Sequence, residues 1–361
     1  MLRGLFVNNK RAKDSIFESG YMVYECLKIS TKYYLDYCEI DLQNREIKLG
    51  YDFYFFNYHP ITMGWLETRN LKKELGAVFT MILEVAPNDA FVMCPEKDFD
   101  IYCALDPTIK EKKNLYAFPR PLEKIDFSLP HVQNEIPVIG SFGFATKGKG
   151  FQHVVEAVNK EFEKAIIKIN IPYGDFVPQS ENYAYFLSET CKKLAKPGIE
   201  VIVTHDFMTK EQLIKWCASN TLNCFLYDRN MPGLAATTDQ AIISKRPLSV
   251  SDNDTFRHIT SYLPPYPKMS LKNAIENSLS LVEKMEQDWM PEKFALKFEN
   301  ILLEKFKHKV AVEKSEGLFL LSIKKHDIKS NIERKIKKYK RKFNKISFKT
   351  IFNLNKKDEI I

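Results

Sequence analysis

The sequence has no run of about 20 apolar residues, so no membrane-spanning helix is expected. Its start, MLRGLFVNNKRAKDS, lacks an apolar core ahead of a cleavage site and reads as a first strand rather than a signal peptide. The seven cysteines (Cys26, Cys38, Cys94, Cys103, Cys191, Cys217, Cys224) are odd in number and form no CxxC pair. That argues against a disulfide framework or a zinc site; it suits a reducing compartment in which each thiol is a small buried hydrophobe. Neither GxxxxGK[ST] nor GxGxxG occurs, and no repeat of solenoid period is present.

What the chain does have is enough apolar material for two cores. Its 361 residues are 45% hydrophobic, too long for one ordinary core and suited to two domains. The charge is unevenly placed. Residues 324–357 hold 14 Lys and Arg against only Asp327 and Glu333, more than the +8 of the whole chain. The body of the protein is therefore mildly acidic, which argues against nucleic acid as its partner.

Short apolar runs alternate with helical periods. Strands are expected at 3–9, 33–41, 51–58, 77–84, 89–94, 136–141, 165–171, 199–204, 221–227 and 247–251. Runs such as IPVIG and CFLY are apolar on both faces, as buried parallel strands are. Phe151, Val154, Val155 and Val158 mark one helical stripe, and Thr209 with Gln212 makes a capping box for a helix carrying Leu213 and Trp216 on one face. Further helices are expected over 181–194, 271–286 and 291–308, the last opening on Pro291. Four prolines between 119 and 137 mark a boundary. The expected organisation is an α/β protein with parallel sheets: a first domain at 1–130, a second at 131–308 including the terminal helix, and a basic tail at 309–361.

Two segments carry chemistry. In IPVIGSFGFATKGKGF (136–151) a strand ends in Ser141 and Gly143, and Lys149 and Gly150 precede a helix. Small residues let backbone approach a ligand, and a lysine beside a helix N-terminus suits a diphosphate; a plain tight turn is the alternative. In 205–259 a strand end at His205 and Phe207 leads through the capped helix to an apolar strand ending at Tyr227 and Asp228. Gly233 and Leu234 then open a helix carrying Asp239 and Gln240.

This order resembles the donor domain of GT-B glycosyltransferases, specifically the retaining branch with many bacterial hexosyltransferases. Lys149–Gly150 is similar to the family's Lys-Gly loop, Gly233–Leu234 to its glycine turn, and QAIISKRP (240–247) to its EAM…G.P segment. The sequence departs where the family has two glutamates eight apart: Pro232 and Gln240 stand there. It departs again where an arginine precedes the Lys-Gly, a zone occupied by Phe142 and Phe144. The resemblance implies two Rossmann-like domains facing a cleft and transfer of a sugar from a nucleotide-diphosphate donor to a glycan or lipid-linked acceptor, without a metal or other cofactor. It implies donor contacts from Ser141, Gly143, Lys149, His205, Phe207, Asp228, Gly233, Leu234, Asp239 and Gln240. Asp239 would bond the donor ribose, and Arg229 or Arg257 would supply the displaced positive charge.

In the first half, Ser19 and Gly20 follow the first strand, where the family keeps a small-residue loop near the acceptor. Asn57 and His59 end a very apolar strand, and strand C-termini point into the ligand crevice. His59 is read either as a base or sugar-orienting group, or as a loop histidine satisfied by backbone. Asp239 is read as catalytic with Lys149 and His59, or as an exposed helix carboxylate. Loop aromatics suit sugar faces, although most of the 26 Phe and 17 Tyr belong to cores. In the tail, Ile332, Ile336, Tyr339 and Phe343 fall on one helical face among lysines and arginines. That pattern suits an anionic membrane surface; nucleic acid, or a solvated extension with no specific partner, are the other readings of the tail. A cytoplasmic enzyme, peripheral to the membrane, is the expectation; a non-catalytic GT-B-like binding protein and a sugar-nucleotide epimerase are the alternatives.

Overall fold

The computed structural model describes residues 1–10, 15–60, 62–82, 98–174, 179–229, 233–307 and 316–324. The expected strand at 89–94 and nearly all of the basic tail lie outside the described residues.

The first domain is a parallel sheet of β1 (Leu2–Asn9), β2 (Tyr33–Ile40), β4 (Phe53–Phe56), β5 (Ala77–Ile82), β6 (Ile101–Ala104) and β7 (Leu115–Ala117). The order is β2-β1-β4-β5-β6-β7. The central strand β4 is FYFF, fully buried along its length because it is covered on both faces. Phe53 and Phe55 enter one cluster with α1 (Ser15–Leu27), while Tyr54 and Phe56 enter another below the sheet near α2 (Leu71–Leu75). A short strand β3 (Glu46–Lys48) stands apart from this sheet.

The second domain repeats the plan. Its sheet, ordered β10-β9-β8-β11-β12, comprises β8 (Val138–Phe142), β9 (Ala165–Asn170), β10 (Ile199–Thr204), β11 (Leu222–Phe225) and β12 (Leu248–Val250). One face carries α3 (Phe151–Glu161), α4 (Ser180–Leu194) and α8 (Leu271–Asn277); the other carries α5 (Lys210–Ala218), α6 (Thr237–Ile243), α7 (Arg257–Thr260) and α9 (Leu279–Asp288). The stripe Phe151, Val154, Val155 and Val158 is fully buried. The capping box of α5 forms in both directions: Gln212 N–H donates to Thr209 Oγ1 at 3.2 Å, and Thr209 N–H to Gln212 Oε1 at 2.8 Å. The helix expected at 271–286 is two helices, separated at Ser278, whose hydroxyl accepts from the Leu248 amide.

The terminal helix α10 (Pro291–Phe306) does not pack on the domain to which its sequence position assigns it. Phe294, Phe298, Ile301 and Leu302 fill the first sheet's cluster beside α1, with Phe298 against Phe53, Phe55 and Phe79. Nor is the whole of 309–361 an appendage. Leu318–Leu320 forms β13, antiparallel to β3, and Leu321 is buried in the first domain's core.

Parallel sheets with this strand order have one switch point each, where neighbouring connections run to opposite sides and leave a crevice at the carboxyl edge. In the first sheet that point lies between β1 and β4; in the second it lies between β8 and β11.

Candidate active site

At the second switch point the loop after β8 meets the segment after β11. Gly148 and Gly150 hold φ of +78° and +63°, and a Cβ on Gly150 would stand 1.8 Å from the Leu226 carbonyl oxygen. Only glycine lets the loop lie this close, and the contact is sealed by Asp228 N–H donating to the Gly148 carbonyl at 3.2 Å. Lys149 is thereby aimed across the crevice. Its ammonium donates to Tyr227 Oη at 2.9 Å and lies over the ring at 4.4 Å, while Arg229 lies 5.4 Å from the same ring centroid. Tyr227 Oη also meets Thr237 Oγ1 at 3.1 Å, in the first turn of α6. Gly143 closes the other side: a Cβ there would be 3.3 Å from Lys149 Nζ. The result is two cations on one tyrosine, walled by backbone without side chains.

Several expected donor residues are placed otherwise. Gly233 does not open a helix; α6 begins at Thr237. Leu234 and Gln240 are half-buried beside it, and Pro232 lies outside the described residues. Ser141 is fully buried with its hydroxyl unpaired, beneath the loop rather than in the crevice. His205 is stacked on Tyr173 at 5.1 Å, and its Nδ1 meets the Ile171 carbonyl at 2.9 Å, so its ring faces α4. Phe207, 71% exposed, faces Phe144 at the mouth of the loop. Asp228 pairs with His153 Nε2 at 3.2 Å, and His153 Nδ1 meets Glu156 at 2.9 Å. Partial burial disfavours the imidazolium, but the two carboxylates outweigh it and raise the His153 pKa.

Asp239 is neither exposed nor open to the crevice. Arg120 Nε donates to its Oδ2 at 2.8 Å, and Arg120 Nη2 donates to Ser19 Oγ at 3.1 Å, so one arginine ties α1 to α6. Burial raises the Asp239 pKa, with Arg120 opposing it, and Oδ1 has no partner. Arg257 is committed too: its Nε lies 2.7 Å from Asp106 Oδ2, joining the carboxyl edges of the two sheets. Beside it His258 is buried against Trp289, and burial together with Arg120 and Arg257 pushes its pKa down to about 3.

On the first domain's side, Ser19 and Gly20 are inside α1, not in a loop. A Cβ on Gly20 would meet the Asn57 amide at 2.1 Å, so the glycine serves close packing of helix on strand. Asn57 spends its amide on Asn8 Oδ1 at 2.6 Å and the Ile16 carbonyl at 2.9 Å. His59 is buried at the carboxyl end of β4, at the first switch point. Sequence reasoning missed Arg120. Its flanking prolines, Pro119 and Pro121, are the signal that could have found it, because they stiffen the linker that presents it.

Among the described residues no group of three or more His, Cys, Asp or Glu side chains converges as a metal site would require. Two Asp-x-Asp pairs occur, and protein groups already engage them. Asp98 accepts from Thr68 and Asp100 from the Val78 amide, while Asp252 pairs with Lys268.

Two parallel-sheet domains meeting at their carboxyl edges define the GT-B glycosyltransferase fold, and the chain has that fold. No protein-family model and no curated protein matches it. Solved structures do. A glycosyltransferase from Rickettsia africae superposes with a TM-score of 0.60 at 11% identity, over 85% of this chain and 99% of its own. HepE from Anabaena, in complex with UDP and glucose, gives 0.58 at 8% identity over 84% and 100%. The N-terminal domain of trehalose-6-phosphate phosphatase from Candida albicans gives 0.59 at 10% over 84% and 97%.

Proposed function

We propose that this chain is a glycosyltransferase that moves a hexose from a nucleotide-diphosphate donor to a glycan or lipid-linked acceptor in polysaccharide or glycoconjugate synthesis. The observation that carries this reading is the Lys149–Tyr227–Arg229 cluster at the second sheet's switch point. As the glycosidic bond breaks, negative charge grows on the departing diphosphate. Two cations held in place beforehand stabilise that charge without reorganising. The glycine-lined loop admits the phosphates, Phe144 and Phe207 border the donor's entrance, and His59 faces the transferring sugar from the first domain. HepE's complexes with UDP and UDP-glucose support a donor of this class.

On this reading catalysis needs no metal, since the cations replace one, and activity should survive EDTA. The enzyme works in the cytoplasm, with the basic residues of 324–357 resting on an anionic membrane surface. The chain leaves β13 on the first domain, so the acceptor side would be the side held there. Removing 325–361 should weaken sedimentation with anionic vesicles and leave transfer to a soluble acceptor unchanged.

The test is calorimetry against UDP-, GDP-, CMP- and TDP-sugars. Lys149→Ala should raise the Kd of the bound donor at least tenfold while the far-UV spectrum is unchanged; equal affinity overturns the assignment. A second reading, a donor-binding protein without turnover, draws on Asp239 being spent on Arg120 while Gln240 is neutral. It requires donor binding with no product from any acceptor.

A further inference from the structure

Arg120 lies between the domains on a stretch made stiff by Pro119 and Pro121. Its side chain is 12% exposed and touches one group from each domain: Ser19 in α1 and Asp239 in α6. A surface ion pair in this position would contribute little. This one is buried, and Asp239 Oδ1 has no other partner, so the carboxylate depends on Arg120 for its place.

The first turn of α6 joins this contact to the crevice. Thr237, two residues before Asp239, meets Tyr227 Oη, which accepts from Lys149. A continuous polar chain therefore runs Ser19–Arg120–Asp239, then through one helical turn to Thr237–Tyr227–Lys149. A second bond between the sheet edges runs from Arg257 to Asp106, whose other oxygen, Oδ1, accepts from the Thr108 amide and hydroxyl.

We propose that Arg120 is a positioning residue: through Asp239 it fixes the first turn of α6, and with it the Tyr227 and Lys149 side chains that face the donor diphosphate. The proposal rests on the transferase reading for what Lys149 binds, but not for the mechanical link itself. An arginine 119 residues from Asp239 in sequence thus sets the geometry of the anion site while touching no reacting atom. It also makes that geometry depend on the contact with α1, so the site is complete only while the two domains are in register.

Hydrogen–deuterium exchange on the full chain tests the link. Arg120→Ala should speed exchange at least tenfold in 226–229 and 237–243, and Arg120→Lys, which retains a donor to Asp239, should restore most of the protection. Asp106→Asn, which weakens the other interdomain pair, should leave those segments as they were. Unchanged exchange in Arg120→Ala overturns the proposal, and so does equal acceleration by Asp106→Asn, which would mean general loosening of the interface. If Arg120→Ala does not fold, Asp239→Asn carries the same expectation. With UDP as probe, Arg120→Ala should raise Kd at least tenfold and Asp106→Asn by less than threefold. A wild-type chain that binds no nucleotide refutes the transferase reading, while the exchange result still decides the role of Arg120.

Discussion

Gly150→Ala is the sharpest perturbation the site offers. The residue holds φ at +63°, and the new methyl would lie 1.8 Å from the Leu226 carbonyl oxygen. Ordinary contact is about 3.5 Å, so the loop or the 226–229 segment must move by about 1.7 Å. A left-handed alanine costs about 1–2 kcal/mol and forced packing about 1–3 more, giving a loss of about 2–5 kcal/mol. The same movement pulls Lys149 from Tyr227, and a displacement of about 1 Å in a positioned group can cost about 100-fold. Gly198→Ala is the matched control. Its φ is +91° and its methyl would meet the Glu163 carbonyl at 2.3 Å, but it precedes β10 at the opposite edge of the sheet. Urea denaturation should show both variants destabilised, and donor calorimetry should show only Gly150→Ala impaired. Equal donor affinity in the two variants, whether both retain it or both lose it, refutes the idea that the 148–150 turn places Lys149.

Arg257→Ala strips the ion pair from Asp106, 2% exposed, and should cost about 2–4 kcal/mol in urea denaturation, less than the full penalty because Thr108 still satisfies Oδ1. His258, held neutral with a pKa of about 3, takes up a proton on unfolding, so stability should fall as pH drops from about 6.5 toward 3; His258→Gln should flatten that fall. His153 has the opposite sign: its raised pKa adds stability below about pH 6.5 that fades as pH rises through the folded value, and His153→Gln should remove that dependence. Thr209→Ala removes the cap of α5 and should cost about 1 kcal/mol by thermal melting.

How much of this was legible depended on whether the signal was local. AIIKIN and IEVIVT are dominated by β-branched apolar residues, broken by Lys168 and Glu200, and both are strands where expected. IYCA and LYA lie outside the expected spans: runs of four and three residues show no period of their own, and FYFF and LNCF are legible only inside longer apolar runs. The Lys149–Gly150 loop was readable because glycine and lysine at a strand-to-helix turn already state the local chemistry. Its partner Tyr227 was visible only as a strand end. Asp239 misled for the complementary reason: a carboxylate in a first helical turn looks solvated until Arg120 arrives from another part of the chain. The stripe of α10 likewise announces a buried face without saying which domain buries it.

That return of α10 has a consequence for synthesis. Phe298 and Leu302 complete the first sheet's cluster, and Leu321 its other face, so the first domain cannot finish its core until Leu321 has been made. The second domain, from β8 through Trp289, has all its own packing material available earlier. On the ribosome the order of maturation should therefore invert the order of translation, with the middle of the chain folding while the amino-terminal sheet waits. The two crossings are stitched by the Leu122 amide donating to the Trp289 carbonyl at 3.0 Å, a bond that forms only after both have emerged. The domain that is made first is the one that closes last.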